Sequence, residues 1–535
     1  MKKLQLKTFT TLSRTVKWKI NGKEFCMKAD RNLLARLVVI GRFRSIDLHE
    51  LMKYALRPLP LSLATPHGSL VKTNKANLLH ALEDQTQNAI VEIPKGGALI
   101  IDGMAFIQQL NPKKLVGPKT FQRLANVVLT RIVNIARLSE SSAVHFVTDT
   151  YPAVSIKNAE RKKRATHGSQ LIKVYGQVIP QQWKKFLSNG QNKEALIKYF
   201  FETWSTMQGS LLYDMKVYLA HNQKCHVFSQ DVASVKVQEV ETLNCTHEEA
   251  DTRMYLHAAF ESEQGTEQIT IVSPDTDVFV LGITFQLQLK SHLHFHTGSG
   301  CNLRTIDLKM VQEQIGDEVT KALIGLHCFT GCDSVSAFYS KGKKKALKLL
   351  QTETSFCSAF QTLGNDFETP LSITPTLEAF TCKLYAQHND SDVNIARYNL
   401  FRLARRSEDN MPPTKDALLQ HIKRVNYQAA LYKRSLEQTP HVPSPVGNGW
   451  ITEDGALLIN LMDLPPAPDC IMELVNCSST CKKGHNNCSD SKTCTCLQNK
   501  LPCTDLCKCE GRHCNNTCGT TLSDDELEDE DIEEE

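Results

Sequence analysis

The sequence has little that would place it in a membrane or outside the cell. No apolar run approaches the roughly 18 residues a spanning helix needs, and the amino end, MKKLQLKTFTTLSRTVKW, holds none of the apolar core of a secretory signal. Both absences point to an intracellular protein with no membrane partner. No internal repeat is visible, so a length of 535 residues points to more than one domain. Cysteine is sparse over most of the chain: eight of the 19 precede residue 470. That excludes a chain-wide disulfide framework.

What is there is an ordinary soluble composition, 41% apolar and 22% charged. The net charge of +4 conceals an asymmetry. Residues 524–535 carry ten acids and no base, and the remaining 62 bases and 48 acids leave +14. A basic body with an acidic tail suits a nucleic-acid binder, and a solvated, disordered tail that aids solubility fits residues 519–535 equally well. The other eleven cysteines fall between residues 470 and 518, which argues for a compact metal-binding module there.

Residues 1–95 read as a mixed basic segment in which no chemistry is legible. LLARLVVIGRF (33–43) is apolar enough for a buried element, and DLHELMKYAL (47–56) has helical period. From residue 97 short apolar runs alternate with helical ones. ALII ends in Asp102, helical sequence follows at about 119–138, and VHFV ends before Asp149. Further short runs are Cys225 to Phe228, ITIV at 269–272 and VFVL at 278–281. This alternation predicts an α/β fold with a largely parallel sheet flanked by helices. In such sheets ligands sit outside the carboxyl ends of the strands, where Asp102, Asp149, Asp275 and Asp277 fall. Residues 320–350 read as helix, tight turn, helix, with Gly331 and Gly342 at turns. Lysines around Gly342 can meet a phosphate. Residues 356–462 read as a helical extension and linker, with HVPSPVGNG (441–449) and DLPPAPD (463–469) as linkers.

The candidate chemistry rests on seven acids: Asp102, Asp149, Glu249, Asp251, Asp275, Asp277 and Asp333. Paired carboxylates repel and raise one another's pKa unless a cation lies between them. An all-oxygen acidic set suits two Mg²⁺ (or Mn²⁺) ions engaged in phosphodiester hydrolysis. Any one of these acids alone also reads as a helix cap or a surface group.

The order IDG, TDTYP, EAD, DTD, GCD, then a glycine and lysine turn, resembles the flap-endonuclease/XPG-type nucleases with a PIN-like fold. The resemblance covers residues 97–350. It implies that the seven acids are the catalytic set, and that Asp333 opens a helix–two-turn–helix element gripping duplex DNA. Lys157, Arg161 and Arg164 resemble the family's arch residues that meet the scissile phosphate; a solvated helix face or a nuclear-import signal in RKKR explains them too. Lys341, Lys343 and Lys344 are the matching phosphate candidates in the turn. The chain departs from the family in its long amino-terminal segment, in the length between Asp149 and Glu249, and at Ser340-Lys341-Gly342, where two glycines are usual.

From Cys477 the spacing is C-x3-C-x6-C-x5-C-x-C-x6-C-x3-C-x-C-x4-C, through Cys481, Cys488, Cys494, Cys496, Cys503, Cys507, Cys509 and Cys514. Short C-x-C turns present two soft ligands to Zn²⁺. Nine thiolates fill three tetrahedral sites only if some bridge two ions. CTCLQNKLPCTDLCKCEGRHCNN resembles the tesmin-like CXC domain, which implies about three zinc ions and DNA binding. The first half departs from that family, opening with C-x3-C in place of C-x-C. Cys518 is extra, and His485 or His513 offers a substitute ligand. A structural or protein-binding zinc knot is the other reading. The two modules together resemble multicopy animal proteins associated with mobile elements.

The sequence therefore predicts a PIN-like nuclease domain at 96–355 and a zinc module at 470–518 that tethers it to DNA in the nucleus. A non-catalytic DNA- or chromatin-binding protein and a PIN-type RNase are the alternatives. Protein partners are not legible.

Overall fold

The computed structural model describes residues 15–20, 23–28, 47–66, 68–151, 171–231, 234–403, 410–453 and 455–468. In the cysteine-rich segment it describes residues 477, 488, 494–498, 500–503, 507, 509 and 514–516. The stretch at 33–43 lies outside them. A hairpin of β1 (Thr15–Ile20) and β2 (Lys23–Lys28) comes first. A helical turn at Leu48–Met52 follows, capped by Asp47, then α1 (Ala76–Gln85) and the short β3 (Ile90–Val91). Then come β4 (Ala98–Asp102), α2 (Gly103–Gln109), α3 (Phe121–Leu138) and β5 (Ala143–Val147). α4 (Gly190–Trp204), β6 (Lys216–His221), β7 (Lys224–Gln230), β8 (Val235–Glu239), α5 (Ala250–Glu263) and β9 (Gln268–Val272) continue the chain. The last elements beside the sheet are α6 (Thr276–Phe285), β10 (His292–Thr297), β11 (Arg304–Asp307), α7 (Leu308–Ile315), α8 (Asp317–Phe329) and α9 (Lys343–Thr352).

The sheet has nine strands in the order β3-β11-β10-β9-β4-β5-β6-β7-β8. Its five central strands, β10 to β6, are parallel, and both edges are antiparallel. β4 and β5 are buried at every position, as expected of strands covered on both faces. From β4 the chain runs to β5 on one side, and β9 later joins on the other. The strand order thus reverses at β4, and a crevice opens at its carboxyl end.

Alternation along the strands builds two cores. Leu99, Ile101, Val144 and Phe146 face α3 and α4. Ile100, Ile269, Ile271, Leu293 and Phe295 face α5, α6 and the later helices. The run at 278–281, expected as a strand, is helical. Asp275 caps α6 by accepting the Asp277 N–H at 2.9 Å. Every residue of α6 is buried, so it carries no amphipathic period by which to tell it from a strand. The run at 225–228 is a strand as expected, but it pairs antiparallel.

The boundaries expected near residues 96 and 355 do not separate cores. Leu78 and Leu82 of α1 share one cluster with Ile269, Leu377, Phe380, Ile422 and Met462. The last long helix, α10 (Lys415–Lys433), packs into the same cluster. The Arg397 guanidinium donates to the carbonyls of Met52 at 3.1 Å and Pro412 at 2.6 Å. The two stretches expected as linkers flank a hairpin of β12 (Trp450–Glu453) and β13 (Ala456–Ile459), and both are tied down. Tyr427 donates to the Pro443 carbonyl at 2.7 Å, and the Leu56 N–H donates to the Pro466 carbonyl at 2.8 Å. Among the described residues no helix is long and apolar enough to cross a membrane.

Because Leu82 is fully buried in this shared cluster, Leu82→Ala is expected to destabilise the whole body by about 2–5 kcal/mol. Denaturant unfolding should show one transition shifted to lower denaturant. A small separate transition for the amino-terminal segment would contradict the shared core.

Candidate active site and cysteine cluster

The crevice at the end of β4 collects carboxylates because several strands and helix starts point their termini there. Asp102 ends β4 and accepts the Ala105 N–H at 2.9 Å, with Ser273 Oγ at 3.4 Å. Burial first, then the nearby Asp149 and Asp275, push its carboxyl up to about 7. Asp149 lies two residues past β5 and accepts the Ala250 N–H at 2.9 Å, which seats it on the first turn of α5. Glu249 is the N-cap of that helix and is still extended, at φ −105° and ψ 140°. Extended backbone at Glu249 lets the Glu249/Asp251 pair lean toward one side, although a helix starts between them.

Oxygens of Asp251, Asp275 and Asp277 come within 4.8 Å of one another. Asp277 has no exposed surface. Its Oδ1 accepts from His327 Nε2 at 2.8 Å and its Oδ2 from the Tyr432 hydroxyl at 2.9 Å. Burial and the neighbouring Asp277 push Asp275 up. Such crowding is held together by a cation from outside the sheet. The Lys75 ammonium lies 3.0 Å from Asp275 Oδ1, 3.0 Å from Asp277 Oδ2 and 3.0 Å from Asp333 Oδ1. Burial alone pulls the lysine down, but Asp277, Asp275 and Asp333 outweigh it and hold the ammonium well above its ordinary value. Lys72 adds a bond to the Asp333 carbonyl at 2.6 Å.

A second positive charge stands behind Asp277. Lys343 is 1% exposed. It donates to the His327 carbonyl at 2.7 Å, to Thr330 Oγ1 at 3.0 Å and toward His327 Nδ1 at 3.3 Å. With Nδ1 accepting, the imidazole proton sits on Nε2, where it meets Asp277. Burial and Lys343 push His327 down to about 4, so the ring is neutral.

No family model matches the chain, and no curated protein does. Solved structures similar to it include the following three. Human GEN1 in complex with Holliday junction DNA is 13% identical over 66% of this chain and 76% of its own, with a TM-score of 0.31. The catalytic core of Rad2 with a DNA substrate is 12% identical over 66% and 96%, at 0.31. Flap endonuclease-1 from Methanococcus jannaschii is 15% identical over 53% and 79%, at 0.27. Overlap at this level leaves the site to be read from its own side chains.

Those side chains link all seven expected acids. Asp102 feels Asp149 and Asp275. Asp149 binds the start of the helix that carries Asp251. Glu249 and Asp277 both act on Tyr432, and Asp333 joins through Lys75. Lys75, His327 and Tyr432 carried no signal in the sequence. Lys75 is one of 62 basic residues and lies outside 97–350. Of the expected phosphate contacts, Lys343 is a correction: its ammonium is buried behind His327 and faces no solvent. Lys341 lies over the Tyr385 ring at 4.6 Å, and Lys344 pairs with Asp84 at 3.2 Å on the surface. Lys157, Arg161 and Arg164 lie outside the described residues.

In the cysteine segment, eight described thiols pack into one buried cluster. Sulfurs of Cys477, Cys488, Cys503 and Cys509 form one quartet within 4.8 Å; those of Cys477, Cys494, Cys496 and Cys503 form another. The pairs 477/509 and 496/507 stand at 3.5 Å, far too long for a disulfide. Cys477 and Cys503 belong to both quartets. Cys481, Cys518, His485 and His513 lie outside the described residues.

Removing the Lys75 ammonium leaves Asp277 buried beside unbalanced neighbours. Without added metal, Lys75→Met is expected to lower stability by about 3–5 kcal/mol, read by denaturant unfolding. Mn²⁺ should recover more stability in this variant than in the wild type. Asp102 sets the pH response. Its folded pKa near 7 lies above the ordinary carboxyl value, so the folded chain keeps a proton that the unfolded chain releases. Metal-free stability should therefore fall as pH rises from about 4 through 7. Tm against pH should flatten over that window in Asp102→Asn.

Proposed function

We propose that the chain is a Mg²⁺- or Mn²⁺-dependent, structure-selective DNA nuclease. One observation carries this reading. Acids from separate strand ends and helix starts converge at the switch point of the sheet, and a positive charge sits where three of them meet. The Lys75 ammonium stands in for a cation there, so the pocket fits one. Its donors are all carboxylate oxygens, the set that suits a hard divalent ion. Asp251, Asp275 and Asp277 are positioned to hold one ion, with Asp102, Asp149 and Glu249 beside them for a second. Two bound ions supply activation of the attacking water and stabilisation of the leaving oxygen.

The chain's own residues do the positioning. His327 and Tyr432 fix both oxygens of Asp277, and the Asp277 N–H fixes Asp275. Lys75 and a divalent ion would compete for Asp275 and Asp277, the two acids that both sets contain. A displaced ammonium would be on hand for a phosphate oxygen. The turn between α8 and α9 resembles the helix–two-turn–helix grip on duplex DNA, which favours DNA over RNA. The two sulfur quartets support Zn²⁺ in the tail module, and with it a tether to DNA in the nucleus.

Lys75 also favours a second reading, a DNA-binding chain without catalysis, since a covalently attached cation lets the acids stay together with no metal. Cleavage separates the two. Labelled flap, duplex and single-stranded DNA and RNA should be incubated with Mg²⁺ or Mn²⁺. The expected result is cleavage of structured DNA by the wild type and none by Asp275→Asn/Asp277→Asn. A well-folded wild type that cuts nothing would establish the non-catalytic reading.

A further inference from the structure

At the other end of the parallel strands stands a second set of metal-type ligands. β10 reads HLHFHT, and strand alternation puts His292, His294 and His296 on one face while Leu293 and Phe295 enter the core. β11 runs antiparallel beside it, with Asp307 directly opposite His294. His292 Nε2 lies 2.7 Å from Asp307 Oδ1, and His294 Nε2 lies 4.0 Å from Asp307 Oδ2. One ligand atom from each of the three falls within 4.8 Å of the others.

Three observations separate this set from a chance polar patch. His294 is 5% exposed, and the nitrogen it turns to Asp307 is Nε2, which at 4.0 Å is outside hydrogen-bond range. Asp307 is pinned by accepting the Met310 N–H at 3.0 Å, where it caps α7. An outside bond of that kind orients a carboxylate ligand. His292, with 31% of its side chain exposed, leaves one side open to solvent.

We infer that His292, His294 and Asp307 form a binding site for a borderline divalent cation of the zinc type. Two imidazoles and one carboxylate suit such an ion, which leaves a fourth position for water or another ligand. The set belongs to neither site described above. It contains no thiolate, and in the β9–β10 register His292 pairs with Gln268, the first residue of β9. Asp275 and Asp277 follow the last residue of β9. A cation here ties β11 to β10 and fixes the start of α7.

The test uses the full chain with its thiolates filled by Zn²⁺ and Mg²⁺ in excess, titrated with Co²⁺. Wild type is expected to gain one equivalent with a visible band and no thiolate charge-transfer band, and its Tm should rise. The gain should persist in Asp275→Asn. His292→Ala changes a part-exposed side chain and should fold normally. It should bind that equivalent at least about 100-fold more weakly, since even changes to groups that only orient a ligand cost about 10–100-fold, and lose the Tm rise. His294→Ala should do the same. Equal titrations for wild type and His292→Ala would overturn the site, as would a gain lost only in Asp275→Asn. A simple His292–Asp307 hydrogen bond that caps α7 predicts no Co²⁺ uptake at all.

Discussion

The structure depends on how negative charge is balanced at the carboxyl end of β4. Oxygens of Asp251, Asp275 and Asp277 crowd within 4.8 Å, and Asp277 has no contact with solvent. Unbalanced, that concentration of buried charge would cost several kcal/mol per ion. Lys75 balances it directly, while His327 and Tyr432 supply both oxygens of Asp277 with donors. Lys343 polarises the His327 ring from behind. The charge is therefore held by a relay of fixed donors as well as by one ion pair.

This balance explains why segments far apart in sequence share one core. Lys75 is the residue before α1, and Tyr432 is on the last long helix, α10. Neither belongs to the stretch 97–350 that holds the acids. Packing Leu78 and Leu82 against the sheet side brings Lys75 over the crevice, and packing α10 against α8 brings in Tyr432. Hydrophobic burial positions the helices, and the buried charges then fix what their ends must carry. The same logic holds at the opposite end of the sheet, where β10 and β11 bring two imidazoles to one carboxylate.

Much of the fold was legible where period and punctuation agreed. β4, β5 and β9 read as short apolar runs, α3 as a long amphipathic helix, and the acids as residues at strand ends. Legibility failed where burial erased the pattern. α6 is buried on every side, so VFVL read as a strand. The proline-rich stretches at 441–449 and 463–469 read as linkers because turn chemistry looks the same whether or not a body holds it. Lys343 read as a phosphate ligand because it sits in a lysine run; only packing shows that this lysine turns inward and Lys344 outward.

The sequence by itself determined the order of the acids and the attachment of Asp102, Asp149, Asp275 and Asp277 to strand ends, because acids in short motifs beside apolar runs are a local signal. It likewise determined the cysteine spacing, which is a matter of counting. The tertiary structure decided which cation meets the acids, which donors hold Asp277, and that described residues of 47–95 and 356–468 belong to the same body. Those are pairings across 50 to 345 residues of chain. They depend on which apolar faces pack together, and no local pattern records them.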